Sequence, residues 1–129
     1  MPVTYEWYDD KKSIVKFAIT APWTVPEFSQ SESVVRAEFS QFNHVVDAIL
    51  DFSDGTILPK NALSYFASSL RKGENIKNEG VAVVYGANML VHMIGRSLKQ
   101  IIRNADIHFA SSLEEAETIL ADVKSKRTQ

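Results

Sequence analysis

The segment "DFSDGTILPKNALSYF" (residues 51–66) joins a predicted β-strand to a predicted α-helix. Before it, "HVVDAILDF" (44–52) is rich in β-branched and other apolar residues, a composition that favours a strand. After the loop, "NALSYFASSLRK" (61–72) is an apolar helical stretch. A strand that leads through a loop into a helix is typical of α/β domains, so this segment indicates the fold class.

The same alternation of strands and helices extends in both directions along the chain. Residues 3–20 predict a hairpin, because "VTYEWYD" and "SIVKFAIT" flank a polar turn. The remaining helices are predicted over 25–42, 88–104 and 112–124, and the remaining strands over 80–86 and 106–110. The predicted order is β-β-α-β-α-β-α-β-α, in a single domain over residues 1–129 with a flexible tail at 124–129.

The first helix begins with two recognisable signals. Thr24 and Glu27 have the spacing of a capping box, in which each side chain accepts a hydrogen bond from the other residue's backbone N–H. Trp23 and Phe28 match a hydrophobic staple, which fixes how the chain enters the helix. Together these signals predict a helix that starts at residue 25.

The composition excludes several classes of protein. With 129 residues, 45% hydrophobic and 23% charged, the chain is expected to fold as one globular domain. Its net charge of −2 gives no general attraction to nucleic acid or anionic lipid. The absence of cysteine excludes disulfides, thiolate catalysis and cysteine-based zinc sites. No apolar stretch is long enough to span a bilayer, so we expect no membrane insertion and a cytoplasmic location.

The order of the strands predicts how the helices are placed. Helices that connect neighbouring parallel strands form right-handed crossovers, so consecutive strands put every helix on one face of a mostly parallel five-stranded sheet. The other face is then either covered by another subunit or partly covered by the first helix. Alternation along the strands assigns to that face Ile14, Lys16, Ala18, Asp47, Ile49, Asp51 and His108.

Two longer segments resemble the STAS superfamily, the SpoIIAA-like fold of the bacterial anti-sigma-factor antagonists. They are "ILDFSDGTILPKNAL" (49–63) and "DIHFASSLEEAETIL" (106–120). The entry to the first helix, "APWTVPEF" (21–28), and the exit from the fourth strand, "VVYGANMLV" (83–91), are most similar to uncharacterised STAS-like proteins. The resemblance covers nearly the whole chain, and it implies a domain of five strands and four helices that binds a partner protein.

The resemblance also bears on a regulatory switch. In the antagonists a serine at the start of the second helix is phosphorylated, and the added negative charge breaks a partner interface. The resemblance places Pro59 at the aspartate before that serine, Lys60 at the serine itself and Asn61 at the serine that follows. Leu63 alone keeps the family's residue. A lysine cannot be phosphorylated by a serine kinase, so this loop is predicted to lack the switch.

Candidate catalytic and metal-binding residues are few. Asp47 and Asp51 lie four residues apart on one predicted strand, about 13 Å, which is too far to share a metal ion or a proton, so we expect both to be solvated. His44, His92 and His108 belong to three separate elements without the spacing of metal ligands. The sequence contains no nucleotide-binding glycine motif and no nucleophile elbow, so no cofactor is expected.

The helix predicted over 88–104 offers a candidate binding surface. Met89 and Met93 lie beside its apolar stripe, next to Arg96. One interpretation is the edge of a wide core stripe followed by a solvated basic flank. The other is a flexible, methionine-rich contact surface for a partner subunit or an apolar ligand.

The sequence supports three hypotheses for function, in decreasing order. The first is a non-catalytic STAS-like interaction or regulatory module without the phosphorylatable switch serine, with a homodimer or an unidentified protein as its candidate partner. The second is a carrier of a small apolar ligand or lipid, in which Trp23 and Phe66 line a pocket with the two methionines. The third, an enzyme, requires convergent titratable groups that the sequence does not show.

Overall fold

The computed structural model describes residues 2–54, 59, 61–73, 76–86, 96 and 107–127. The elements within these residues are β1 (Val3–Trp7), β2 (Ile14–Thr20), α1 (Val25–Phe39), β3 (Val46–Asp54), α2 (Ala62–Gly73), β4 (Glu79–Tyr85), β5 (Ile107–Ala110) and α3 (Leu113–Arg127). Of the helix predicted over 88–104, only Arg96 is described, and it is helical and exposed. α3 continues to Arg127, through residues that were predicted as a flexible tail.

The five strands form one mixed sheet in the order β1-β2-β3-β4-β5. β1 and β2 pair antiparallel, as the predicted hairpin requires, and the other neighbours pair in parallel. The predicted α/β class and mostly parallel sheet are therefore confirmed. β3 occupies the centre of the sheet, so its side chains alternate between the packing layers on the two faces.

The start of α1 has the two signals that the sequence predicts. Thr24 Oγ1 accepts a hydrogen bond from the Glu27 amide at 3.3 Å, and Glu27 Oε1 accepts one from the Thr24 amide at 2.9 Å. The ring centroids of Trp23 and Phe28 lie 6.0 Å apart, which completes the hydrophobic staple. Local sequence thus fixes both where α1 begins and how the chain leaves β2.

Both α1 and α2 pack against one face of the sheet, here called the aromatic face. Its fully buried side chains include Val15, Phe17, Ile19, Trp23, Phe28, Val35, Phe39 and Phe52. Phe28 lies at the centre of this layer, with its ring centroid 5.5 Å from that of Phe17 and 5.4 Å from that of Phe66. Because aromatic side chains bury large apolar areas, this layer makes a major contribution to stability.

The opposite side of the sheet, here called the α3 face, is covered by α3. Ile49, Val81 and Val83 of the sheet form a second buried cluster with Ala116 and Leu120 of that helix. The prediction that all helices share one face is therefore wrong, and so is the prediction that the first helix covers part of the other face. The crossover rule constrains only a helix that connects two parallel strands. α3 follows β5 and does not connect two of the described strands, so it can pack on either face.

Candidate functional site

Polar side chains meet on the α3 face where β3 and β4 end, the position at which open α/β sheets commonly bind ligands. Asp51 and Tyr85 are paired neighbours on β3 and β4. Asp51 Oδ1 accepts a hydrogen bond from the Ser53 amide at 2.9 Å and another from the Ser53 hydroxyl. The Asp51 carboxylate also accepts a hydrogen bond from the Tyr85 hydroxyl, and its Oδ2 lies 3.9 Å from Lys16 Nζ. Lys16, Asp51, Ser53 and Tyr85 are called the carboxylate cluster below.

The pKa values of Asp51 and Tyr85 are shifted in opposite directions. Burial by itself would raise the pKa of Asp51, but the hydrogen bonds from Ser53 and Tyr85 and the charge of Lys16 outweigh it and lower that pKa. Burial and the hydrogen bond to Asp51 raise the pKa of Tyr85. At neutral pH the aspartate is therefore an anion that accepts hydrogen bonds, and the tyrosine is a neutral donor. This arrangement links the ends of β3 and β4 and holds the Ser53 side chain against Asp51.

The start of α2 is fixed by a turn that involves two of the predicted switch-loop residues. The Ala62 amide donates a hydrogen bond to the Pro59 carbonyl at 3.1 Å, and the Tyr65 amide donates one to the Asn61 carbonyl at 3.0 Å. Asn61 is exposed and has a φ of 73°, in the left-handed region that asparagine tolerates better than most residues. Lys60, the third predicted residue, lies outside the described residues.

Asp47 is fully buried, with 0% of its surface exposed, so the prediction that it is solvated is wrong. Its Oδ1 accepts a hydrogen bond from the Val81 amide at 2.8 Å. Arg127 on α3 donates to both carboxylate oxygens, at 2.9 Å from Nη1 and 2.6 Å from Nη2. Gly80 leaves the space for this pair, because a Cβ there would lie 2.0 Å from Asp47 Oδ1. Asp47 therefore attaches α3 to the sheet.

A second polar network, partly buried and not predicted from the sequence, joins α1, α2 and β4. Arg36 donates two hydrogen bonds to the Glu79 carboxylate, at 2.8 and 3.0 Å, and one to the Ser69 carbonyl at 3.0 Å. Glu32 lies one helical turn before Arg36 and accepts a hydrogen bond from the Tyr65 hydroxyl at 2.5 Å. Burial and this contact with Glu32 raise the pKa of Tyr65. The i, i+4 spacing of Glu32 and Arg36 was the available signal for the network.

The histidines are not brought together. His44 Nε2 lies 3.0 Å from the Lys12 carbonyl, and its ring stacks on Phe42. His108 is half-buried on β5, and His92 lies outside the described residues. Within the described part of the chain, no group of three histidine, aspartate or glutamate side chains is placed to hold a metal ion.

The residues predicted to bind a partner or an apolar ligand are only partly described. Met89 and Met93 lie outside the described residues. Trp23 and Phe66 do meet, with ring centroids 6.1 Å apart. Trp23 is 4% exposed, and its indole N–H has no hydrogen-bond acceptor among the described residues. A buried donor without an acceptor is uncommon, because it loses its hydrogen bond to water on folding.

The outer edge of β1 presents backbone groups to solvent. Hydrogen bonds from Tyr8 to Ile14, at 2.8 Å, and from Thr20 to Pro2, at 2.7 Å, show that the even-numbered residues of β1 bond to β2. In an antiparallel pair the alternate residues direct their N–H and C=O groups away from the partner strand. These outward residues are Val3, Tyr5 and Trp7. No described residue bonds to their outward backbone groups.

Comparison with known proteins gives no assignment: no protein-family model, curated protein or solved structure matches this chain. Among the helices that the structure describes, none has both the length and the apolar character needed to cross a membrane. Four features of the structure bear on function: the carboxylate cluster, the start of α2, the aromatic face and the edge of β1.

Proposed function

We propose that the protein is a non-catalytic interaction module, similar to STAS domains, that lacks their phosphorylatable serine. The observation that carries this proposal is the free outer edge of β1. A strand edge whose N–H and C=O groups are unpaired binds another extended strand through backbone hydrogen bonds. The fold makes this edge rigid, because β1 pairs with β2 along its whole length and packs against α1.

The charged groups of the interior support the same proposal, because they are engaged in contacts that maintain the fold. Asp47 is bound by Arg127, and Arg36 by Glu79. Asp51 accepts hydrogen bonds from within its own cluster and has a lowered pKa, so it is a weak base. These groups attach helices and strands to one another, which is the role of buried ion pairs in a binding scaffold.

The start of α2 supports the absence of a phosphorylation switch. A proline and an asparagine occupy two of the positions that carry the aspartate and a serine in the antagonists, and a lysine occupies the phosphorylated position. We expect that a serine kinase of the antagonist-partner type, with ATP, leaves residues 59–63 unmodified in peptide mass spectra. Stoichiometric phosphate on Ser53 or Ser64 would restore the switch and contradict this part of the proposal.

Photo-crosslinking in the cells that express the protein tests the interaction function directly. A photo-reactive amino acid at Thr4, which is exposed on β1, should form a covalent adduct with a protein that binds the edge. The matched control is the same amino acid at Ala121, which is exposed on α3. An adduct at position 4 and none at position 121 is the expected result. Equal labelling at both positions, or no adduct at either, would contradict a binding edge at β1.

The buried indole of Trp23 supports a second candidate function, the binding of a small apolar ligand that carries a hydrogen-bond acceptor. The aromatic rings of Phe28, Phe52 and Phe66 surround this indole at 6.0 to 6.1 Å between centroids. Native mass spectrometry of the freshly purified protein is the test, with Trp23→Phe as a comparison that removes the N–H donor and reduces the size of the ring. A single unliganded mass, unchanged on addition of fatty acids, would eliminate this candidate.

A further inference from the structure

We infer that β1 pairs antiparallel with β1 of a second copy of this chain, with Tyr5 opposite Tyr5 of the second copy. This deepens the proposed interaction function, on which it rests, by naming the partner and the register. The two sheets would then continue into one another across a two-fold axis. The inference depends on three features of the described residues: the outward backbone groups of β1, the side chains on its two faces, and an exposed valine on α1.

The backbone of β1 defines the register. The outward N–H and C=O groups belong to the three odd-numbered residues of the strand, Val3, Tyr5 and Trp7. A symmetric antiparallel pair that uses all of them has Tyr5 on the two-fold axis. Val3 then lies opposite Trp7 of the second copy, and Thr4 lies opposite Glu6 of the second copy. An isologous interface of this kind needs one surface that complements itself, and β1 provides it.

The side chains of β1 agree with this register on both faces. Thr4 and Glu6 are exposed and point to the side of the sheet away from α1, so each glutamate meets a threonine rather than a second glutamate. Tyr5 and Trp7 lie on the α1 side and are only half-buried. Their remaining ring surface is therefore available for cross-strand aromatic pairs, which are among the stabilising side-chain pairs of antiparallel strands.

An exposed valine extends the same surface onto α1. Val34 is 48% exposed, one of two exposed large apolar side chains in the described part of the chain. It lies one helical turn before Glu38, which is 3.6 Å from Lys12, and Lys12 in turn lies over the ring of Trp7. Residues four apart share one flank of a helix, so Val34 lies on the flank that faces the β1 edge. Pairing with a second copy removes this apolar surface from water.

Amide hydrogen exchange, followed by NMR at increasing protein concentration, tests the pairing without any substitution. The amides of Thr4 and Glu6 bond to β2 and should exchange slowly at every concentration. The amides of Val3, Tyr5 and Trp7 should exchange fast in dilute solution and become protected as the concentration rises. Fast exchange of these three amides at all concentrations, or a monomer at high concentration by light scattering, would overturn the inference.

Two substitutions at one site test the register. Thr4→Glu places two like-charge pairs across the two-fold axis and should weaken the dimer on the order of tenfold, whereas Thr4→Lys forms two opposite-charge pairs and should strengthen it. Sedimentation equilibrium of both variants measures the dimer dissociation constant, and the difference should shrink in high salt. Unchanged constants, or a shift of both variants in the same direction, would overturn this register.

The two exposed valines provide a second matched pair. Val34→Ser should weaken the dimer on the order of tenfold, because each copy loses buried apolar surface. Val45→Ser changes the other exposed valine, which directly precedes β3, a strand that does not pair with β1, and should leave the dimer unchanged. Equal effects of the two variants would overturn the inference. An adduct at Thr4 that contains a different protein and no second copy would also overturn it, while the proposed interaction function would stand.

Discussion

The two faces of the sheet are held to their helices by different interactions. On the aromatic face, rings from β2, β3, α1 and α2 pack around Phe28 in a continuous apolar layer. On the α3 face, a smaller aliphatic cluster is supplemented by polar contacts: Arg127 binds Asp47, and Lys124 Nζ donates to Ser13 Oγ at 2.8 Å. Apolar packing is distributed over many contacts, whereas a buried ion pair depends on both partners being present. The faces should therefore respond differently to single substitutions.

Removal of the central ring of the aromatic face should have the largest effect on stability. Phe28→Ala deletes a fully buried ring and leaves a cavity, so we expect the free energy of unfolding to fall by about 4 kcal/mol. Urea unfolding followed by circular dichroism measures the loss. Gln30→Ala on the same helix is the control, because an exposed position should change stability by less than about 0.5 kcal/mol. Similar losses for the two variants would disprove the central place of Phe28.

Loss of Arg127 tests whether the α3 face depends on its ion pair. Arg127→Met keeps much of the side-chain length but leaves the buried Asp47 carboxylate without its cation, which should cost about 3 kcal/mol. The neighbouring Lys126→Met breaks an exposed pair with Asp122 and should cost less than about 0.5 kcal/mol. Urea unfolding compares them. A loss for Arg127→Met no greater than that for Lys126→Met would show that the attachment of α3 is apolar alone.

The free space at Gly80 should matter less than the charge of Arg127 but more than the space at Gly86, directly after β4. In Gly80→Ala the new methyl group lies 2.0 Å from Asp47 Oδ1 and 2.8 Å from Arg127 Nη2, so the pair must shift, at a cost of about 2 kcal/mol. At Gly86 the nearest atom to such a methyl group is 3.2 Å away. Thermal unfolding of Gly80→Ala and Gly86→Ala should show the smaller decrease for the second variant; the reverse order would contradict the geometry of the ion pair.

The carboxylate cluster should give the smallest effect, visible as a pH dependence. The pKa of Asp51 is lower in the folded state than its value of about 3.9 in an unfolded chain, so ionisation of Asp51 stabilises the fold. This contribution, less than about 1 kcal/mol, is present above pH 4 and is lost as the pH falls through the folded-state pKa. Urea unfolding at pH 7 and pH 3 measures it: between these two pH values the free energy of unfolding of Asp51→Asn should fall less than that of the unsubstituted protein. Parallel losses in both proteins would contradict the assignment.

Local sequence signals predicted the aromatic face well. The capping box of Thr24 and Glu27 and the staple of Trp23 and Phe28 depend on residues within five positions of each other, so they are visible without the fold. The buried side chains of α1, Phe28, Val35 and Phe39, also lie at helical spacing in the sequence. Most strand and helix bounds differ from the prediction by one to three residues. Differences of this size are expected because the ends of helices and strands fray.

The α3 face could not be predicted in the same way, because its determinants are distant in sequence. Alternation alone assigned Asp47 to an open face, and nothing near it in the chain identifies Arg127, 80 residues away, as its partner. Asp51 and Tyr85 become neighbours only through the pairing of β3 with β4. The candidate binding residues Met89 and Met93 stay predictions, as does the role of Lys60. The carboxylate cluster could have been identified if the pairing of residues between β3 and β4 had been known.

The position of α3 in the chain has a consequence for synthesis of the protein. Residues are added from the N-terminus, so β1 to β4 leave the ribosome before any part of α3. Until α3 is made, Ile49, Val81 and Val83 lack the Ala116 and Leu120 side chains that pack against them, and the Asp47 carboxylate has no Arg127 to bind it. A nascent chain at this stage presents an apolar sheet surface of the kind that chaperones bind and that leads to aggregation. Completion of α3 ends this exposure and neutralises the buried charge in the same step.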